Sequence, residues 1–141
     1  MEKQRDFFPQ KVQQTERVLG KKMPSSLEAE NAVLGALLLN DENITHVSEI
    51  LASQDFYVPA HRLIYQAVLD IALQAQRVDL VTLQDHLETK GQLETVGGVI
   101  YLLGLQDDIP SLGLISQHAG IIKEKAVLRE LIVRYKEEAE L

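Results

Sequence analysis

The sequence predicts an all-α fold, a compact bundle of about five short helices followed by one long C-terminal helix. Three observations carry this. Between its prolines the chain places apolar residues at helical spacing and not in alternation. Pro24, Pro59 and Pro110 each stand just before such a stretch, where a residue without an N–H is tolerated. Beyond residue 112 a heptad-like apolar pattern extends for the rest of the chain.

The first helix is expected to open at Ser25, with Glu28 three residues on as its capping-box partner. Leu27, Asn31, Leu34 and Leu38 then share one face, and Asn40-Asp41 ends the segment. Gly35 inside it costs roughly 1 kcal/mol against alanine, so close helix packing is its expected role. Ile44, Val47 and Leu51 indicate a short second helix. The third spans about Pro59 to Gln76, with a broad stripe of Leu63, Ile64, Ala67, Val68, Ile71, Ala72 and Ala75 that implies deep burial. Asp79 caps a fourth, carrying Leu80, Leu83 and Leu87 and ending at Gly91. Gly97-Gly98 reads as a turn into Val99–Leu103. That apolar run fits a strand or a helix, and helix is preferred because no partner strand is visible.

The long helix, about 112 to 141, carries two stripes. Leu114, His118, Ile121, Lys125, Leu128, Ile132, Tyr135 and Ala139 follow steps of four and three; Ile115, Ala119, Ile122 and Ala126 lie beside them. Two apolar faces call for two neighbours. The alternative puts one face on the protein's own core and leaves the other half exposed. The organisation predicted is therefore a flexible basic tail at 1–23, a globular helical domain at 24–111 and a long helix at 112–141.

Composition narrows the chemistry. The 141 residues are 45% apolar and 25% charged, an ordinary globular balance. No apolar run approaches the ~20 residues of a membrane span, and the opening segment has no signal-like core. With no cysteine there is no thiolate metal site, disulfide or cysteine nucleophile, and a cytoplasmic location is expected. Residues 1–23 carry a net charge of +3 and the remainder −10. An acidic body without tryptophan repels phosphate and offers no stacking platform, so little or no direct DNA binding is expected. Any that occurs should depend steeply on salt and be carried by Lys3, Arg5, Lys11, Arg17, Lys21 and Lys22.

No catalytic pattern emerges. Gly20-Lys21 lacks the upstream glycine of a P-loop, and Gly97-Gly98 is not a dinucleotide fingerprint. His46, His61, His86 and His118 are scattered without metal-ligand spacing. Asp85 and His86 are adjacent and point to different sides of a helix, while Asp79 is better used as a cap. The sequence thus predicts no catalytic residue, cofactor or metal site.

Four blocks, in order, carry a family resemblance: Pro24–Ala36; Asp55-Phe56-Tyr57 with His61–Tyr65; Asp79–Leu83 with Gly97–Leu102; and Ile121–Leu131. Together they resemble the N-terminal domain of the bacterial replicative DNA helicase, the DnaB family. The resemblance implies a non-catalytic domain in the collar of a hexameric ring. Such domains pair with one another, as a trimer of dimers in the full hexamer, and dock the helicase-binding domain of primase; a helicase loader is a further implied partner. ATP and Mg belong to a separate ATPase domain. The family pattern continues beyond the long helix into the second arm of a hairpin, a linker and that ATPase domain, so an excised domain is expected. The family pattern points to Tyr101 and Ile132 as primase-contact positions, and the seam adds Leu128 and Tyr135 as interface candidates. Two rival readings stand beside this one. The first is a freestanding helical adaptor, such as primase's own helicase-binding domain, and the second a small hydrolase using Asp85 and His86.

Overall fold

The computed structural model describes residues 2–107 and 114–139. Seven α-helices follow in order: α1 (Glu2–Leu19), α2 (Leu27–Leu39), α3 (Ile44–Ile50), α4 (Pro59–Leu73), α5 (Leu80–Thr89), α6 (Gly98–Asp107) and α7 (Ile115–Ala139). Two 3-10 turns, Asp41–Asn43 and Ser53–Asp55, flank α3. There is no strand among the described residues, and the run at 99–103 lies inside α6.

Helix α2 is the axis of the fold. Every residue from Ala29 to Leu38 except Asn31 is buried, so the helix has neighbours on almost all sides, α4, α6 and α7 among them. A helix that is apolar all round belongs inside. The single face expected at Leu27, Asn31, Leu34 and Leu38 is corrected accordingly: Leu27 is exposed at the start, and Val33, Leu34 and Leu37 are fully buried on different sides. The cap is Ser26, one residue later than expected, its hydroxyl accepting from the Ala29 N–H at 3.2 Å.

The remaining boundaries follow local chemistry. Pro59 occupies the first turn of α4. Asp79 caps α5 by accepting from the Thr82 N–H, while Thr82 Oγ1 accepts from the Asp79 N–H, both at 2.9 Å. Helix α4 ends at Leu73, and Ala75, expected on its apolar stripe, is an exposed residue at φ 58° that turns the chain out of the helix. Gly97 and Gly98 both have positive φ, and a Cβ on Gly97 would stand 2.8 Å from the Tyr101 Cβ. Only glycine allows the turn to close so tightly on the first coil of α6.

The expected tail at 1–23 differs, and the expected bound between 111 and 112 lies outside the described residues. Residues 2–19 form a helix and not a tail. Within it Val12 and Thr15 are buried, and Val12 forms a satellite cluster with Met23 and Val133, bordered by Tyr57 and Ile132. Ile115, Ala119 and Ile122 of α7 belong to the same core as α2 to α6. On the stripe at 115, 119, 122 and 126, Ile115, Ala119 and Ile122 are buried in the core, while Ala126 is half buried beside α1. Of the heptad-like seam, Leu114, Ile121, Leu128 and Tyr135 face outward, while Ile132 packs beneath α1.

Candidate functional site

A group of polar side chains is buried where α2, α4, α6, α7 and the loop after Ser53–Asp55 meet. Glu30, on the central helix, is 1% exposed, as is His61 in the first turn of α4. His61 Nδ1 lies 2.7 Å from Glu30 Oε1, and the same carboxylate accepts from the backbone N–H groups of Tyr57 at 2.8 Å and Val58 at 3.3 Å. The far side of the imidazole, Nε2, is 2.5 Å from the Tyr101 hydroxyl, and the two rings stack with centroids 5.9 Å apart. Burial pushes the Tyr101 hydroxyl up from its ordinary pKa, with the Glu30 charge adding to it.

Arg129 forms the second half of the cluster. It lies on the inward stripe of α7, between Ile122 and Val133, and is 4% exposed. Its guanidinium donates to the carbonyls of Pro24 at 2.8 Å and Asp55 at 2.6 Å and lies over the Tyr57 ring, 5.5 Å from the centroid. Burial lowers its pKa, and the charges of Glu30 and Asp55 oppose that shift. The Asp55 carboxylate accepts from the Ala52 N–H at 2.8 Å and pairs with Lys123 of α7 at 3.2 Å. Arg62 donates to the carbonyls of Phe56 and Tyr57. Tyr57 in turn donates to Glu16 of α1 at 3.0 Å, and its own proton is held by burial first and by Glu16 second.

A carboxylate, an imidazole and a phenol in line could move a proton, but general acid–base catalysis also needs a substrate within hydrogen-bond reach. Glu30 and His61 are sealed from solvent, so this cluster fastens five segments together. Spacing alone did not single it out, since its members stand far apart in sequence. The available signal was indirect: Glu30 interrupts an apolar helix, and Arg129 falls on the core stripe.

The structure separates the expected interface residues. Leu128 is 38% exposed and Tyr135 76%, on the outward seam with Leu114 and Ile121; Val127 and Leu131 are exposed close by. Ile132 is half buried against the satellite cluster under α1. Tyr101 is half buried and commits its hydroxyl to His61. The residues of the hydrolase reading do not assemble. His86 faces Asp70 of α4 at 3.6 Å, and Asp79 is occupied as a cap. Among the described residues no cluster could hold a metal ion, and no helix is long and apolar enough to cross a membrane. Of the basic residues expected to carry nucleic-acid binding, Arg17, Lys21 and Lys22 are exposed, Lys11 pairs with Glu137 of α7, and the side chains of Lys3 and Arg5 lie outside the described residues.

The blocks that resemble one family contain Glu30, Asp55, Tyr57, His61, Tyr101 and Arg129, the members of this buried cluster. The model of the DnaB-like helicase N-terminal domain matches residues 22–124. The chain belongs to this family. It is 46% identical over 109 residues to the replicative DNA helicase DnaB of Geobacillus stearothermophilus, covering 77% of this chain and 24% of that protein. The replicative DNA helicase DnaC of Bacillus subtilis is 41% identical over the same shares. The crystal structure of the N-terminal domain of DnaB helicase from Mycobacterium tuberculosis superimposes with a TM-score of 0.82 at 36% identity, covering 84% of this chain and 85% of that one. The chain spans about a quarter of these curated DnaB-family relatives. The matched segment runs from just before α2 into α7, and α1 lies outside it.

Proposed function

We propose that this chain is a non-catalytic collar domain of a hexameric replicative DNA helicase in the cytoplasm, pairing with further copies of itself and docking primase during DNA replication. Family membership supports the setting. The outward row on α7 carries the reading: Leu114, Ile121, Leu128 and Tyr135 remain exposed on a helix whose opposite face is already in the core. Burying each such side chain is worth roughly 1.5–3 kcal/mol, enough to drive association. Tyr101 and Ile132 are the positions proposed for primase, with a helicase loader as a further partner, while ATP and Mg act in the ATPase part of the whole protein.

The test is mass in solution over a concentration range, with and without the helicase-binding domain of primase. A dimer that forms with rising concentration, and a further mass increment on adding that domain, are the expected results. A monomer at every concentration that ignores primase would overturn the reading. The isolated chain should also turn over no ATP.

A further inference from the structure

Helix α1 is attached differently from every other element. None of its described side chains, from Pro9 on, belongs to the main core, whose first described member is Ala29. Among residues 9–19 only Val12 and Thr15 are buried, and Pro9 removes a hydrogen bond from inside the helix. Glu16 accepts from the Tyr57 hydroxyl and, at 2.5 Å, from the Met23 N–H, and Lys11 pairs with Glu137 of α7. Two clefts of about 150 and 250 Å³ run along the joint, one bounded by Gln13, Tyr57 and Arg129 and the other by Gln14, Val18 and Lys136. Gly20, at φ +68°, ends the helix, and residues 22–26 have no regular structure before α2 begins.

What α1 covers adjoins the outward row. Val133 is 1% exposed and Ile132 is half buried beneath the same cluster, while Leu128, Leu131 and Tyr135 stand exposed next to them on α7. Lifting α1 would uncover Val133 and Ile132, which adjoin that apolar surface on α7, and Tyr57 beside them.

We propose that α1 is a detachable strap, hinged at Gly20–Ser26, that masks the C-terminal half of α7 and so limits pairing of the domain with a second copy of this chain. The proposal rests on the reading of α7 as the pairing surface. A cover closed in about nine molecules of ten weakens self-pairing roughly a hundredfold, because both copies must be open at once. Pairing by the open form holds the strap off in turn.

The experiment uses the full chain in three forms: unaltered, Val12→Asp to release the strap, and Val12→Cys with Val133→Cys joined by a short thiol crosslinker to hold it down. The natural sequence has no cysteine to interfere. Sedimentation velocity over a concentration series reads the dimer dissociation constant. It should fall by up to roughly a hundredfold for Val12→Asp, and pairing should be lost in the crosslinked form and return in its uncrosslinked dithiol. Equal constants in the open and locked forms would overturn the strap. If Leu128→Asp still abolished pairing in that case, α7 would keep its role. Absence of pairing in every form would remove both readings. Should Val12→Asp not fold, the crosslinked form against its own dithiol decides alone.

Discussion

Helices α2 and α1 lie at opposite extremes of attachment. Helix α2 is 13 residues long and nearly all of it is inside, with Glu30 anchoring a buried polar cluster. Helix α1 is longer, at 18 residues, yet among its described side chains, from Pro9 on, Val12 and Thr15 alone are buried. Length and local helicity do not decide how firmly a helix is held. Burial does, because most helical stability in a protein comes from packing.

The contrast predicts a graded series of stability losses, measurable by denaturant unfolding with circular dichroism. Leu37→Ala, in the fully buried middle of α2, should cost about 2–5 kcal/mol, the range for a leucine cavity in a core. A loss below about 1 kcal/mol would show that α2 is not the axis described. Next is Arg129→Met, which keeps the volume but strands the Pro24 and Asp55 carbonyls. It should cost roughly 1–3 kcal/mol, the penalty for an unsatisfied buried group. Amide exchange near Pro24 and Asp55 should quicken with it, whereas an unchanged exchange pattern would mean that the guanidinium is not the tie. Val12→Ala, the matching truncation in the satellite cluster, should cost at most about 1 kcal/mol, since a site at the surface relaxes more easily. A cost equal to that of Leu37→Ala would erase the difference between the two regions.

The smallest effect concerns charge alone. The Asp41 carboxyl is held below the usual carboxylate range chiefly by the Val78 N–H and further by Arg77, against a desolvation effect that opposes both. A lowered folded-state pKa gives stability that is present above the unfolded value and lost as pH falls through the folded one. Asp41→Asn should therefore be slightly less stable than the natural protein at neutral pH. That deficit should close as pH drops below about 4, and a deficit that persisted in acid would assign the effect to shape instead of charge.

Much of this architecture was legible because some elements announce their own ends. Pro59, the Asp79 cap and the Gly97-Gly98 turn fix α4, α5 and α6 from a few neighbouring residues. Helix α2 was legible as a helix but not as the centre, since a segment apolar on all sides shows no stripe to orient it. Both stripes of α7 were visible, and their assignment was not. The one with Ala119, Ala126 and Arg129 looks the poorer core face until α2 packs against this helix and the Pro24 and Asp55 carbonyls receive the guanidinium. The polar cluster was hidden for a different reason. Glu30 and His61 find each other across 31 residues, and His61 and Tyr101 across 40, so no local spacing encodes them. Helix α1 was read as a tail because a basic, polar composition does not reveal that Val12 and Met23 meet Val133.

The account depends most on the claim that the outward row of α7 is a working surface and not spare core. Ile132 is a poor place to probe it, since that side chain also packs beneath α1. Leu128, with 38% exposure and no place in either cluster, is a clean one. The deciding measurement is sedimentation equilibrium of Leu128→Asp beside the natural chain, with thermal melts of both at a concentration where each is monomeric. The account predicts lost self-association with the melting temperature unchanged within about 2 °C, since an exposed substitution stays within about 0.5 kcal/mol. A melting temperature lowered as far as that of Leu37→Ala, or self-association that survives the aspartate, would contradict it.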